Sequence, residues 1–64
     1  MDNELEFANQ MLAEAYEMIF NAINFDGYGY EYVTLLNNIE YHLDKHGWRK
    51  DSITGATWID PENN

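Results

Sequence analysis

The fold is decided by residues 4–25, ELEFANQMLAEAYEMIFNAINF, which carry the longest amphipathic pattern in the chain. Apolar residues recur there at steps of three and four, as they do along one side of an α-helix. This apolar stripe consists of Leu5, Ala8, Met11, Leu12, Ala15, Ile19, Ala22 and Ile23. The opposite side is polar and carries Glu6, Gln10, Glu14, Glu17 and Asn21. The pattern therefore predicts one long helix over residues 4–25.

A second helical pattern covers residues 30–46, after a loop that contains Gly27 and Gly29. Its end is marked by Lys45 and His46 at the negative end of the helix dipole, and by Gly47, where a left-handed residue often ends a helix. A connection this short favours two antiparallel neighbours. We expect the helices to pack through Leu12, Ala15, Ile19, Leu36, Ile39 and Leu43.

The chain changes character after Gly47, because β-branched residues and tryptophans replace helix formers over residues 48–59. Asp51-Ser52 and Thr54-Gly55 are turn-prone pairs. We therefore predict a short β-hairpin or an extended arm there, followed by a frayed end at residues 60–64. The predicted fold class is mainly α: an antiparallel two-helix hairpin with this β-type segment, forming a single small acidic domain over residues 1–64.

The aromatic content exceeds what so short a chain can bury. The 64 residues include two Trp, five Tyr and three Phe, and no Cys that could form a disulfide. A chain of this length buries only about 60% of the surface of its unfolded form, and oligomerisation is a common remedy. We therefore expect a homodimer in which Tyr16, Phe20 and Trp58 meet across a two-fold axis.

The charge is strongly one-sided, with 12 acidic and 3 basic residues and a formal net charge of −9. No lysine or arginine precedes Lys45, and the other two are Arg49 and Lys50. Such a field attracts basic surfaces and repels nucleic acid, so direct nucleic-acid binding is not expected. Neither a membrane-spanning run nor a basic signal-peptide start is present, which favours a cytoplasmic protein.

Few residues suggest chemistry. His42 and His46 have the spacing of a zinc-binding pair on a helix, but no third ligand is marked, so a solvated helix end with a partly buried histidine is the preferred interpretation. Gly27 and Gly29 lack the lysine of a phosphate-binding loop. A two-helix chain of this size cannot easily enclose a cleft, and it has no Cys, no glycine-rich phosphate loop and no marked Ser-His-Asp set, so we expect no enzymatic activity, no metal and no cofactor.

The carboxylates themselves suggest another use. Residues three or four apart on a helix are about 5–6 Å apart, near the spacing of phosphates along a DNA strand. A row of carboxylates can therefore imitate DNA, although the same residues can simply form the solvated faces of two helices. The predicted partner-binding residues are Glu14, Glu17, Asp26, Glu31, Glu40 and Asp44, together with the aromatic residues Tyr28 and Trp48.

One stretch resembles a known family. Between Asn9 and Asp26, the run Ala15-Tyr16-Glu17-Met18, followed by Ile23, Phe25 and Asp26, is similar to the first helix of the Ocr family of bacteriophage antirestriction proteins. The resemblance covers less than a third of the chain. It implies a small, acidic, dimeric protein that mimics B-form DNA, with Glu17 and Asp26 as candidate mimic residues. The basic residues near the C-terminus depart from that pattern.

Two functions follow as expectations. The first is a phage-type inhibitor that acts as an acidic DNA mimic in the basic DNA-binding surface of a host restriction or CRISPR enzyme, in the bacterial cytoplasm. The second is a small dimeric regulatory module, similar to an antitoxin, that binds other proteins through its aromatic surface. Salt separates them, because electrostatic mimicry weakens steeply as ionic strength rises.

Overall fold

The computed structural model of the protein describes residues 3–63. It contains helix α1 (Asn3–Asn21), helix α2 (Val33–Lys45) and an antiparallel pair of strands, β1 (Arg49–Lys50) and β2 (Trp58–Ile59). The shorter elements are a π-helical segment (Ala22–Asp26) and two 3-10 turns (Tyr30–Tyr32 and Pro61–Asn63). The predicted fold class, a helical hairpin with a small C-terminal β-hairpin, is confirmed.

The first helix changes geometry before its predicted end at Phe25. The Asn24 side-chain amide donates a 2.8 Å hydrogen bond to the carbonyl of Phe20. A side chain that hydrogen-bonds a carbonyl of the preceding turn competes with regular helical bonding. The chain instead closes a wider turn, in which the N–H of Gly27, with φ at 75°, donates to the carbonyl of Ala22. Phe25 is 80% exposed on this wide turn.

The end of α2 agrees with the predicted glycine stop. Gly47 has φ at 88°, its N–H donates to the carbonyl of Asp44, and the N–H of Trp48 donates to the carbonyl of Leu43. These are the two hydrogen bonds of a Schellman motif, which commonly brings the residue after the glycine onto the last helical turn. Trp48 and Leu43 accordingly belong to the same buried cluster.

The β-hairpin is closed by the predicted turn residues. The N–H of Asp51 donates to the carbonyl of Thr57, and the N–H of Gly55 donates to the carbonyl of Asp51, both at 2.8 Å. The Thr54 hydroxyl accepts hydrogen bonds from the N–H groups of Ala56 and Thr57. Arg49 pairs with Ile59, and Lys50 pairs with Trp58.

Within the expected frayed end, Pro61–Asn63 form a 3-10 turn, and residue 64 lies outside the described residues, so fraying itself stays a prediction. The Asp60 carboxylate accepts a 2.8 Å hydrogen bond from the N–H of Glu62. An aspartate before a proline is a common way to start a helical turn, because the aspartate caps a free N–H and the proline needs none. A Cβ placed on Gly47 would lie 3.7 Å from Pro61. The turn therefore packs beside the end of α2.

The core shows that α1 is rotated relative to the prediction. Leu36, Ile39 and Leu43 are buried on α2, as expected, and Leu43 is fully inaccessible. On α1 the buried residues are Asn9, Ala13 and Tyr16, whereas the expected Leu12, Ala15 and Ile19 are only half-buried. The contacts of Asn9 with His42 and of Tyr16 with Glu40 show the two helices running antiparallel. Leu12 and Ile19 nevertheless pack against the buried cluster, as predicted, whereas Ala15 is not among the residues that pack there.

The burial of the aromatics explains this rotation and corrects the predicted dimer contacts. Tyr16 and Trp58 are 3% and 8% exposed, and their rings meet edge to face at 5.5 Å within one chain. The Phe20 ring stacks on Tyr16 and reaches Gly55 in the hairpin turn. Tyr16 and Trp58 are therefore not available to meet across a two-fold axis, and Phe20 is half-buried. The β-hairpin covers them because burying large aromatic rings contributes more than burying Ala15 would.

Candidate partner-binding surface

Trp58 is the wall between two surface grooves. Its indole ring comes from β2 and packs against Tyr16 of α1. Both grooves include Trp58 in their lining. The indole Nε1 is buried and has no hydrogen-bond partner among the residues the structure describes. The tryptophan therefore holds the hairpin on the helices by packing, without a hydrogen bond from its ring.

The compensated groove, on the α2 side of Trp58, contains both signs of charge. Its charged lining residues are Glu40, Asp44, Arg49 and Lys50. The Lys50 ammonium lies 2.8 Å from Glu40 Oε2, and the Tyr16 hydroxyl donates to the same oxygen at 2.9 Å. The ammonium also lies 5.9 Å from the ring centres of Tyr16 and Trp58, within cation–π range. Glu40 is thus a structural group that connects α1, α2 and β1.

The pKa values of this triad reflect its hydrogen bonds. The hydrogen bond from Lys50 and then that from Tyr16 hold the pKa of Glu40 below its ordinary value. The hydrogen bond to Glu40 raises the pKa of Lys50. Burial raises the pKa of Tyr16, and the neighbouring Glu40 carboxylate adds to the effect. At neutral pH the triad therefore holds a carboxylate, an ammonium and a neutral phenol, and Glu40 is not a freely presented negative charge.

The acidic groove, on the α1 side of Trp58, contains only negative charge. It is lined by the carboxylates Glu14, Glu17 and Asp60, with Trp48 and Trp58 as its aromatic wall. None of the described residues that line it is basic. Glu14 and Glu17 project from neighbouring turns of α1 because they are three residues apart. The groove therefore presents three carboxylates beside a buried apolar wall.

The negative charge continues toward the start of α1. A further groove shares Trp48 and Asp60 with the acidic groove and adds Glu6, Glu62 and His46. A hydrogen bond shared with Glu6, and then the charge of Glu6, raises the pKa of Glu62. We call Glu6, Glu14, Glu17, Asp60 and Glu62 the acidic row. Between Glu6 and Glu17 it follows α1 for about 17 Å, at 1.5 Å per residue.

Two members of the acidic row, Asp60 and Glu62, are not among the residues that the sequence analysis predicts to bind a partner. Asp60 and Glu62 were assigned to a frayed end, where no fixed position would be expected. The local signal was the run Asp60-Pro61-Glu62, in which the aspartate caps the turn that begins at the proline. That turn brings the C-terminal carboxylates beside α1.

A third groove unites three other predicted residues. Asp26, Tyr28 and Glu31 line it together with Met18, Ala22 and Tyr32, and we call it the tyrosine groove. Tyr28 and Tyr32 are 65% and 48% exposed. Gly29 closes the groove near Ile23, with φ at 98°, a backbone conformation that suits glycine. This surface combines exposed aromatic rings with two carboxylates.

The predicted site residues are therefore divided among separate surfaces. Glu14 and Glu17 lie in the acidic groove, Glu40 and Asp44 in the compensated groove, and Asp26, Tyr28 and Glu31 in the tyrosine groove. Trp48 is only 6% exposed because the Schellman motif places it on the last turn of α2, and it forms part of the wall of the acidic groove. Glu17 and Asp26, the pair carried by the family resemblance, line different grooves.

His42 contacts the buried Asn9, and the exposed His46 lies beside His42. His42 Nε2 lies 2.7 Å from Asn9 Oδ1, and because that oxygen only accepts, Nε2 carries the proton. The rings of His42 and His46 are 4.4 Å apart. Across residues 3–63, no group of three His, Asp or Glu side chains is placed to hold a metal ion. In the same part of the chain, neither helix has the length and apolar character needed to span a bilayer.

Comparison with known proteins adds no relative. No protein-family model, curated protein or solved structure matches the chain. The functional argument therefore rests on the grooves, their charges and their exposed side chains.

Proposed function

We propose that the protein is an inhibitor of the phage type, which places its acidic row in the basic nucleic-acid-binding surface of a bacterial restriction or CRISPR enzyme. One observation carries the proposal. The basic residues Arg49 and Lys50 line the compensated groove, whereas the described lining of the acidic groove contains no cation. Opposite charges are thus separated across Trp58, and the carboxylates of the acidic groove can attract a basic partner without first breaking an ion pair to another of its described lining residues.

The geometry supports this role in two further ways. Glu14 and Glu17 stand about 5–6 Å apart at their Cβ atoms, a spacing comparable with that of successive phosphates. The pKa of Glu62 is raised first by a hydrogen bond shared with Glu6 and then by the charge of Glu6, so these two carboxyl groups lie close together and part of the effect is repulsion. A basic partner surface would relieve that repulsion on binding. The interaction is therefore expected to depend strongly on salt.

The test uses nucleases directly. DNA cleavage by a panel of restriction and CRISPR nucleases is measured with increasing amounts of the protein, at low and at high salt. For a sensitive enzyme, Glu14→Gln combined with Glu17→Gln should raise the inhibitory concentration by about 2–30-fold at low salt, as two exposed ion pairs of about 0.2–1 kcal/mol each would predict. The difference should shrink as salt rises.

The matched control is Asp44→Asn, which removes a carboxylate from the compensated groove, where cations are already present. It should change inhibition less than either change in the acidic groove. Glu40→Gln is not a suitable control, because the Glu40 carboxylate also binds Lys50 and Tyr16. If the Glu14 and Glu17 double variant inhibits every sensitive enzyme as strongly as the parent at low salt, DNA mimicry is the wrong function.

The second candidate, an interaction module with an aromatic binding surface, is favoured by the tyrosine groove. Its exposed tyrosine rings and its apolar lining residues offer apolar contacts to a partner. Tyr28→Ala should weaken such binding at every salt concentration, because aromatic contacts are not screened. Loss of binding in Tyr28→Ala, with full retention in the Glu14 and Glu17 double variant, would identify this module and exclude the mimic.

A further inference from the structure

One side of α1 is apolar and uncovered. Phe7, Met11 and Met18 are 65%, 52% and 73% exposed, which is unusual for three large apolar side chains on a single helix. At about 100° per residue, Met11 and Met18 lie about 140° and 160° around the helix from the buried Tyr16, in the same direction, and so about 20° from each other. They therefore point away from the side of α1 that Trp58 and the hairpin cover.

The uncovered residues follow a regular order. Ala8, Met11, Ala15 and Met18 on α1 and Ala22 at the start of the π-helical segment are separated by alternating steps of three and four, so they form one seam, in which Ala15 and Ala22 are half-buried. Small and large side chains alternate along this seam. No charged residue belongs to it, although the chain carries a net charge of −9. We call these five residues the alanine–methionine seam.

We propose that this seam is the interface with a second copy of the chain, in which two α1 helices pack antiparallel about a two-fold axis. With the axis between Ala15 and Met18, Ala15 faces Met18 of the second copy, and Met11 faces Ala22 of the second copy. Each large side chain then meets an alanine. Alternating large and small residues at facing positions is the arrangement that lets two helices interlock closely.

The seam fits a second copy better than an unrelated partner because it is self-complementary. A two-fold interface uses the same patch on both chains, and here one helix supplies both the large and the small positions. An uncharged strip is also the part of so acidic a chain that can approach an identical chain with the least repulsion. Glu6 and Glu17 lie on another flank of α1, whereas Glu14 borders the seam, because it is three residues from Met11 and four from Met18.

The expected response to salt is opposite to that of the proposed inhibitory function. Two chains of the same negative charge repel each other, so added salt should strengthen the dimer by screening. Binding of the acidic row to a basic partner should weaken under the same conditions. The two proposals can therefore succeed or fail independently.

Sedimentation equilibrium of the full chain, from low to high micromolar concentration, tests the dimer. Met11→Glu should weaken dimerisation by more than about tenfold, because two carboxylates per dimer would enter the apolar seam without partners. The control Gln10→Glu adds the same charge one residue before Met11, on the exposed polar side of α1. Its dimer dissociation constant should stay close to that of the parent. Circular dichroism checks that both variants keep their helices.

A second pair of variants tests the register. Ala15→Met places a methionine against Met18 of the second copy and should weaken the dimer even though it adds apolar surface. Adding Met18→Ala to that variant restores one large and one small partner, and should recover dimerisation. A parent chain that stays monomeric at high micromolar concentration would overturn the proposal. So would a Met11→Glu variant that dimerises as the parent does, or an Ala15→Met variant that dimerises more tightly.

Discussion

The acidic groove and the compensated groove share the wall formed by Trp58 and differ in their charges. Both grooves contain carboxylates on helices, and in both the carboxylates come from glutamate and aspartate. In the compensated groove, Lys50 and the Tyr16 hydroxyl both bind Glu40, and Arg49 is a neighbour in the lining. In the acidic groove, Glu14, Glu17 and Asp60 lie together without a basic lining residue among those described.

This difference separates two uses of negative charge. Glu40 joins three elements of the fold, so its carboxylate contributes to stability. Glu14 and Glu17 repel their neighbours, so their contribution to stability is small or unfavourable, and their charge is available to a partner. The predictions below test this division by changing one groove at a time.

The largest effect is expected at the shared wall. Trp58→Ala should lower the free energy of unfolding by about 3–5 kcal/mol, as for other large aromatic residues removed from a core, and should open both grooves. Trp58→Phe should cost clearly less, because the indole Nε1 makes no hydrogen bond among the described residues. Urea denaturation of the two variants measures both values. Equal losses of stability in Trp58→Ala and Trp58→Phe would contradict this expectation and would mean that the indole N–H contributes to stability.

A smaller effect is expected when one bond of the compensated groove is removed. Tyr16→Phe deletes the hydroxyl that donates to Glu40 and keeps the buried ring, so the free energy of unfolding should fall by about 1–2 kcal/mol. The pKa of Glu40 should rise, because one of the hydrogen bonds that lower it is lost. Denaturant unfolding and an NMR titration of Glu40 measure the two changes. An unchanged Glu40 pKa would argue against the triad.

The dependence of stability on pH tests the ion pair itself. Because the pKa of Glu40 is lowered in the folded state, its carboxylate stabilises the fold above its ordinary pKa of 4.5, and this stability is lost as the pH falls through the lowered value. Glu40→Gln should cost about 0.2–1 kcal/mol at neutral pH, since the pair is partly exposed. The difference between parent and variant should disappear in acid.

At alkaline pH, the contribution of Lys50 makes stability fall as the pH rises, which is opposite to the pH dependence that Glu40 produces in acid. The pKa of Lys50 is raised above its ordinary value of 10.5, so the ammonium stabilises the fold below that pH, and the stability is lost as the pH rises through the raised pKa. A parent and a Glu40→Gln variant that keep the same difference in stability from acid to alkaline pH would contradict the ion pair.

The smallest effect on stability is expected in the acidic groove. Glu14→Gln with Glu17→Gln should change the free energy of unfolding by no more than about 0.5 kcal/mol, and in the stabilising direction, because both changes relieve repulsion at an exposed surface. Thermal unfolding at low salt is the most sensitive measurement, since screening is weakest there. A loss of stability as large as that of Tyr16→Phe would mean that these carboxylates are structural too.

The sequence by itself determined the order of elements, the buried side of α2 and the ends of several segments. Leu36, Ile39 and Leu43 repeat with a helical period, and Gly47 supplies the left-handed conformation that stops α2. Asp51 and Thr54 close the hairpin turn with their own side chains. These features depend on residues that are close in the chain, so local patterns are enough to predict them.

Only the tertiary structure decided which side of α1 is buried. That helix is apolar over most of its circumference, so periodicity alone could not choose between the stripe through Ala15 and the side that carries Tyr16. The β-hairpin determines which side is buried, because Trp58 packs edge to face on Tyr16 and leaves Met11 and Met18 exposed. Contacts between residues far apart in sequence decided it, and a pattern along one helix does not contain them.

The same reason separates the carboxylates. Glu14, Glu17 and Glu40 look alike in the sequence, and the charge pattern predicted all three as partner-binding residues. The pairing of Glu40 with Lys50 depends on β1 lying beside α2, and the joining of Asp60 and Glu62 to the acidic row depends on the turn after β2. The net charge was therefore known from composition, while the place where that charge is left uncompensated was settled by packing.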